Sequence, residues 1–285
     1  MQALALEDVS FRYAGASTAA VRDLTLEVEE GTFVLLAGPS GSGKSTVLRL
    51  LNGLIPHFYR GHLEGRIRVL RWDTRETRPN RLGTRVGTVF QFPEEQIVAA
   101  RVWRDVAFGL ENLLVPREEI LQRIEGALEF VGLTPLRDRQ SASLSGGEKQ
   151  RLALASVLAM DPPVLLLDEP ASELDPRGRR EFLQVLDRLK DASRRTVVVA
   201  DHRLEDLLPL ADRLVVLSGG RPVADGPPRT VLAEDGLAGL GVEVPVPVRM
   251  WHRLRDAGRD PGPCPLTAEE LAASLGEGRG TDRGA

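Results

Sequence analysis

The amino-acid sequence predicts an α/β protein built on a mostly parallel core sheet, with an antiparallel β subdomain, a helical subdomain and a short C-terminal extension attached to it. Short apolar runs, each as long as one strand buried on both faces, recur at residues 33–37, 164–167, 196–200 and 213–217. Segments of helical periodicity lie between several of these runs, and strands that alternate with helices pair in parallel. Near the start of the chain, apolar and polar residues instead alternate with a period of two, which predicts half-buried antiparallel strands.

The elements follow in chain order. The alternating strands cover residues 4–11 and 21–28, with a turn at 14–17. The first apolar strand is followed by a helix at 45–51, and a further strand lies at 87–90. Helices are also predicted at 118–131, 147–160 and 177–189. After about residue 236 the pattern changes. Prolines interrupt residues 244–248, and Thr267 and Glu270 have the spacing of a capping box that opens a short helix ending at Leu275.

These changes in pattern divide the chain. We expect a first domain over residues 1–235, a C-terminal extension over residues 236–275, and a disordered tail over residues 276–285, which is rich in glycine and arginine.

Composition narrows the class of protein. The 285 residues carry a formal net charge of -4, which argues against bulk attraction to nucleic acid, and we expect no nucleic-acid partner. The single cysteine, Cys264, permits no intramolecular disulfide and fits a reducing, intracellular compartment. The first residues do not resemble a signal peptide, and no apolar run approaches the roughly 20 residues that span a bilayer. We therefore expect that any membrane channel comes from other chains.

A phosphate-binding loop is the first motif that carries chemistry. Residues 38–45 read GPSGSGKS, which fits the pattern G-x-x-x-x-G-K-[ST] between a predicted strand and a predicted helix. The glycines let backbone N–H groups point at a phosphate, Lys44 is expected to bridge the β- and γ-phosphates, and the Ser45 hydroxyl to ligate Mg²⁺. A glycine-rich turn without a ligand is the alternative. The predicted nucleotide-binding residues here are Gly38, Pro39, Ser40, Gly41, Ser42, Gly43, Lys44, Ser45 and Thr46.

Two acidic residues end the apolar strand at residues 164–167. A carboxylate at the end of a buried strand is costly unless it is paired or serves a cation. Asp168 is placed to hold Mg²⁺ through water, and Glu169 to polarise an attacking water. Together with the phosphate loop, this pair indicates a nucleoside triphosphatase of the P-loop class.

A third motif identifies a family. Residues 144–151 read LSGGEKQR, and a serine and two glycines at a helix start form an anion cradle with no lysine inside it. This segment resembles the signature of the ATP-binding-cassette (ABC) ATPases, and the resemblance covers roughly residues 4–225. It implies that the signature residues bind the γ-phosphate of ATP held by a second cassette subunit, so that the active unit is a homo- or heterodimer. The signature residues are Ser145, Gly146, Gly147 and Glu148.

The resemblance implies further site residues. Gln91 matches the glutamine that senses Mg²⁺ and the γ-phosphate, and Asp175 lies in the segment that crosses the dimer interface. His202 matches the switch histidine, for which a structural role is the alternative, and Tyr13 matches the aromatic that stacks on adenine, for which an exposed strand-end tyrosine is the alternative. Asp201 departs from the family pattern around the switch histidine, because many cassettes have threonine directly before that histidine.

Four further segments resemble those of the energy-coupling-factor (ECF) branch of the family, the ATPases of vitamin and transition-metal-ion uptake. They are residues 51–57 (LNGLIPH), 91–96 (QFPEEQ), 105–109 (DVAFG) and the C-terminal extension. In that branch the Gln91–Gln96 surface receives a helix of a transmembrane coupling protein, and the extension helps the ATPases to dimerise. The resemblance therefore implies an ATPase on the cytoplasmic face of the membrane, with transmembrane subunits and a substrate-capture membrane protein as partners.

Other functions stay open at this point. A conventional ABC importer or exporter shares the core motifs, and a non-transport ABC ATPase usually carries two cassettes or a nucleic-acid surface. A regulatory nucleotide-binding module without turnover is a further alternative, against which Glu169 and His202 argue. The transported solute is chosen by the membrane and capture subunits.

Overall fold

The fold is described from a computed structural model, for residues 1–192 and 194–277. Its strands are β1 (Gln2–Tyr13), β2 (Val21–Glu29), β3 (Phe33–Ala37), β4 (Gly61–Val69), β5 (Trp72–Asp73), β6 (Val86–Val89), β7 (Val164–Asp168), β8 (Thr196–Ala200), β9 (Arg213–Ser218) and β10 (Arg221–Gly226). Its helices are α1 (Lys44–Leu51), α2 (Leu54–His57), α3 (Pro79–Leu82), α4 (Val102–Asn112), α5 (Arg117–Phe130), α6 (Gly146–Ala159), α7 (Pro176–Ala192), α8 (Pro228–Ala233), α9 (Val246–Asp256) and α10 (Ala268–Glu277).

The core is a six-stranded sheet in the order β10-β9-β3-β8-β7-β6. All of its pairings are parallel except that of β10 with β9, which confirms the mostly parallel sheet. A second, antiparallel sheet has the order β2-β1-β4-β5, so the two predicted N-terminal strands form half of a larger subdomain. β4, β5 and β10 have no counterpart among the predicted strands.

The core sheet separates two apolar clusters. Alternate residues of its strands face opposite sides, so Leu35 and Leu167 pack with α6 and α7. Their neighbours Leu36 and Leu166 pack instead with α1 and the antiparallel sheet. A strand buried on both faces has no polar side, which explains why these runs are continuously apolar.

The C-terminal segment differs from expectation. The prolines at residues 244–248 do not interrupt structure there: Pro245 is the N-cap of α9 and Pro247 lies in its first turn, where a helix needs no backbone donor. The Thr267 hydroxyl accepts a hydrogen bond from the Glu270 N–H at 3.2 Å, but the Glu270 carboxylate accepts from the Leu266 N–H instead of Thr267. α10 continues to Glu277, so residues 276 and 277 of the predicted tail are helical, and the remainder, 278–285, lies outside the described residues.

The extension shares the core of the first part of the chain. Val248, Trp251 and Leu271 belong to the same apolar cluster as Leu165 and Leu167. The Arg229 guanidinium of α8 donates to both carboxylate oxygens of Glu270, each at 2.8 Å. Apolar burial and this bidentate pair together fix α10 against α8.

A buried carboxylate in the helical region formed by α4, α5 and α6 fastens α4 to the loop before it and to α6. Asp105 of α4 accepts hydrogen bonds from the backbone N–H groups of Val98 (2.8 Å) and Ala99 (3.0 Å), and from the Ser156 hydroxyl of α6 (2.9 Å). Asp105 thus holds the connection from β6 to α4 against α6. Within residues 1–192 and 194–277, no helix is both long and apolar enough to cross a membrane.

Replacing Asp105 by alanine should lower the free energy of unfolding by about 2–4 kcal/mol, because two backbone donors lose a charged partner in the interior. Asp105→Asn keeps an oxygen acceptor and should lose about 1 kcal/mol. Urea unfolding followed by circular dichroism measures both. The control is Asp138→Ala, at a carboxylate that is 70% exposed and pairs with Arg137 on the surface. If Asp105→Ala is no more destabilising than this control, the fastening described here is wrong.

Candidate active site

The phosphate loop leaves the end of β3 and leads into α1. Gly38 and Gly43 have φ values of 143° and 107°, respectively. A β-carbon on Gly38 would lie 2.2 Å from the Leu217 carbonyl oxygen, and one on Gly43 would lie 2.5 Å from the Ala20 carbonyl oxygen. Only glycine fits both the conformation and the space at these two positions. The loop therefore keeps the tight path that the motif predicts.

The Lys44 side chain lies inside this loop and is only 4% exposed. Its Nζ donates to the carbonyl oxygens of Gly38 (2.8 Å) and Pro39 (3.1 Å) and lies 3.9 Å from Glu169 Oε1. Burial lowers the pKa of the Lys44 ammonium, and the Glu169, Asp201 and Asp168 carboxylates oppose part of that shift. The ammonium is thus desolvated and held where an incoming phosphate would meet it.

The two predicted carboxylates lie beside the loop. The Ser45 hydroxyl of α1 donates a hydrogen bond to Asp168 Oδ1 at 2.9 Å. Asp168 is the last residue of β7. Burial raises the pKa of the Asp168 carboxyl, and the hydrogen bond from Ser45 opposes that rise. A cation placed beside Asp168 would stabilise its ionised form.

Glu169 is held in an unusual backbone conformation. Its φ is 43°, which is rare for a residue other than glycine, and its N–H donates to the Ala200 carbonyl oxygen of β8 at 2.8 Å. Its carboxylate lies 3.2 Å from His202 Nδ1 and 3.9 Å from Lys44 Nζ. The structure thus brings Lys44, Glu169 and His202 together, although they are far apart in the sequence.

Asp201 is a buried acid that the sequence analysis treated only as a departure from the family pattern. Its carboxylate is 1% exposed, accepts a hydrogen bond from the Arg203 N–H at 2.9 Å, and lies 3.7 Å from His202 Nδ1. Burial raises its pKa. Its position directly before His202, at the end of a fully buried strand, was the available signal that it belongs to this cluster.

Tyr13 lies beside α1, with its hydroxyl 3.2 Å from the Thr46 hydroxyl. The Arg49 guanidinium donates to the same Tyr13 hydroxyl at 3.1 Å and lies over the Tyr59 ring at 4.8 Å. Arg49 and Tyr59 were not identified from the sequence. They form a half-buried aromatic and cationic cluster one turn along α1 from the phosphate loop.

Gln91 follows β6 at the same edge of the sheet, because Val89 is in register with Leu167 directly before Asp168. The loop beyond it is ordered by Gln96, whose side-chain amide oxygen accepts from the Phe90 N–H (3.2 Å) and whose amide group donates to the Thr88 carbonyl oxygen (3.0 Å).

The signature segment occupies a different surface. Ser145 and Glu148 form a reciprocal capping box at the start of α6. The Glu148 N–H donates to the Ser145 hydroxyl at 3.3 Å, and the Ser145 N–H donates to Glu148 Oε2 at 2.7 Å. Together with Gly146, Gly147 and Asp175, these residues line a cavity of about 460 Å³. Across the described part of the chain, no hydrogen bond or ion pair joins residues 145–148 to residues 38–46.

The oxygen donors at the phosphate loop fit Mg²⁺. Ser45 and Asp168 supply a hydroxyl and a carboxylate in contact with each other. The described residues contain no group of three His, Cys, Asp or Glu side chains that could hold a metal ion. A site with few protein ligands, completed by phosphate oxygens and water, is the arrangement that Mg²⁺ adopts with nucleotides.

Comparison with known proteins places these motifs in a family. The family model described as ABC transporter matches residues 21–172. A protein of Pyrococcus abyssi named as an ABC transporter ATP-binding protein is 45% identical over 259 residues, which cover 90% of this chain and 92% of that protein. Several other relatives with such names are longer, and the chain spans 39% to 46% of their length.

Solved structures agree. CbiO1 of Clostridium perfringens, part of the ABC transporter complex CbiONQ, has a TM-score of 0.74 at 31% identity and covers 89% of this chain and 99% of its own. An ATP-binding cassette solved as a dimer after hydrolysis, with ADP and Pi bound, has a TM-score of 0.68 at 28% identity and covers 79% of this chain and 99% of its own. The chain belongs to the ABC transporter family and is one of its ATP-hydrolysing subunits.

Proposed function

We propose that this ATPase hydrolyses ATP·Mg²⁺ at a site completed by a second cassette and thereby powers ECF-type uptake of a vitamin or transition-metal ion. The observation that carries the proposal is the division of the site between two surfaces. Lys44, Asp168, Glu169 and His202 converge at one edge of the core sheet, whereas Ser145–Glu148 lie on another surface with no bond to them. A second cassette subunit, identical or different, would supply the missing signature.

The residues at the sheet edge would divide the work as follows. Lys44 would exchange its two carbonyl partners for phosphate oxygens, and Ser45, Asp168 and Gln91 would hold Mg²⁺, which supplies neutralisation of phosphate charge. Glu169 would accept a proton from the attacking water. His202, whose Nδ1 lies 3.2 Å from Glu169 Oε2, would orient that carboxylate and contact the γ-phosphate. Tyr13 would stack on adenine.

The membrane partner would dock on an apolar groove next to Gln96. Val98 (61% exposed) and Phe108 (49% exposed) line the groove, with Gly109 and Met160 at its base. Soluble surfaces seldom group apolar side chains in this way without a partner. A helix of a transmembrane subunit fits such a groove, and docking would place the chain peripherally on the cytoplasmic face of the membrane. The extension over residues 236–275 is proposed to help the cassettes to dimerise.

CbiO1 supports the choice of uptake, because its similarity covers 89% of this chain and it belongs to the complex CbiONQ. Isolation of the chain from its native membrane should therefore yield large coupling subunits together with a small, highly hydrophobic capture protein. Mass spectrometry of the purified complex identifies them. Two large permease chains without a capture protein would contradict ECF-type uptake and favour a conventional ABC transporter.

Glu169→Gln should retain ATP binding while turnover falls by about 10²- to 10⁴-fold, the usual contribution of a general base. The amide preserves the size of the side chain but cannot accept the proton. Phosphate release measures turnover, and gel filtration with ATP should reveal a trapped dimer. Glu119→Gln, at a surface partner of Arg123, is the control and should hydrolyse ATP normally. Parental turnover by Glu169→Gln would show that the base is another group.

Lys44→Ala should weaken ATP binding by about 10- to 150-fold, because charge-assisted hydrogen bonds to phosphate are lost. Equilibrium titration with a fluorescent ATP analogue measures the change. Lys190→Ala removes the same side chain from α7, where its ammonium contacts Leu210 and Asp212, and should leave affinity unaltered. Equal affinity in the Lys44 variant and the parent would refute the assignment of the phosphate loop.

A further inference from the structure

The starts of α6 and α7 meet through two glycines. A β-carbon on Gly147 would lie 3.0 Å from the Gly178 Cα, and a β-carbon on Gly178 would lie 3.3 Å from the Gly147 Cα. Both distances are shorter than ordinary van der Waals contact between carbon atoms. The two helices therefore touch backbone to backbone at this point. Gly147 is a signature residue, and Gly178 lines the same cavity as the signature residues.

Gly178 also contacts the segment that precedes α7. Its N–H donates to Asp175 Oδ1 at 2.6 Å, and a β-carbon at Gly178 would lie 3.1 Å from the same oxygen. Leu174 Cδ2 lies 4.0 Å from the position of a β-carbon on Gly146. Leu174 and Asp175 thus lie close to the first turns of α6 and α7.

A polar contact one turn further along each helix fixes the same arrangement. The Arg151 guanidinium of α6, whose side chain is 10% exposed, donates to Glu181 Oε2 of α7 at 2.5 Å. Hydrogen bonds from Arg177 and from Arg151 lower the pKa of the Glu181 carboxyl, which keeps it ionised and available for this contact. Two neighbouring contacts leave little freedom for α6 to slide or rotate against α7.

We propose that Gly178 is a positioning residue for ATP turnover. By lacking a side chain, it allows the signature segment and residues 172–175 to form one rigid surface that meets the nucleotide bound to the second cassette. Its effect is exerted through the positions of Gly147 and Asp175, both of which lie against it. The proposal rests on the shared site of the proposed function.

Enlarging residue 178 tests this directly. Alanine in the first turn of a helix ordinarily favours the helix over glycine. At Gly178 the added carbon would require Gly147 and Asp175 to move by a few tenths of an ångström, since the contacts are 3.1–3.3 Å. A displacement of about 1 Å in a catalytic arrangement can cost roughly 100-fold in rate. Alanine and leucine at this position should therefore give graded losses.

Gly178→Ala should lower ATP turnover about 3- to 10-fold and Gly178→Leu about 100-fold or more. ADP affinity, which reports the chain's own phosphate loop, should stay within about twofold of the parent in both variants. Gly126→Ala is the matched control, because Gly126 lies in α5 with no atom within 4 Å of an added β-carbon. It should hydrolyse ATP at the parental rate.

Turnover of Gly178→Leu within about twofold of the parent would overturn the inference, since the contact would then have no positioning effect. A loss of ADP affinity or of thermal midpoint in proportion to turnover would also overturn it, because the contact would then only support folding. Absence of turnover in the parent chain would overturn the proposed function and the inference together, and the parent rate distinguishes these cases.

Discussion

The parallel pairing of β3, β8 and β7 is the constraint on which the site depends. Phe33 is in register with Val197, and Val164 with Thr196, so the three strands reach the same edge of the sheet within one or two residues of one another. The chain leaves each strand there and enters the phosphate loop, the Glu169 turn or the His202 turn. Parallel strands must all finish at one edge, and this edge consequently gathers the polar groups that the apolar strands cannot hold.

The charges at that edge depend on one another. Burial lowers the pKa of the Lys44 ammonium. It raises the pKa values of the Asp168 and Asp201 carboxyls. Buried ions of one sign would be costly, but opposite charges within a few ångströms offset much of that cost. The cluster is therefore set up to respond to a bound anion and its cation, because either one changes the balance of charge around Glu169.

Sequence patterns sufficed for the parallel strands of the core sheet, and predicted less well the features that tertiary packing decides. The runs at residues 33–37 and 196–200 coincide with β3 and β8 because strands buried on both faces consist mostly of apolar residues. β4 escaped notice because its exposed half reads as an ordinary polar segment. Arg49 and Gly178 carry no local pattern: the contact of Arg49 with Tyr13 spans 36 residues of sequence, and the importance of Gly178 depends on which helix passes beside it.

The apolar cluster that runs from the core sheet into the C-terminal extension bears on how the chain behaves in pieces. Val248, Trp251 and Leu271 are buried in the same apolar cluster as Leu204 and Leu207, which lie just beyond His202 in the sequence. A fragment ending before α9 would present part of that cluster to solvent, and exposed apolar surface of this kind promotes aggregation. The extension thus completes the cassette's own hydrophobic core, and a shortened chain should aggregate more readily than the full one.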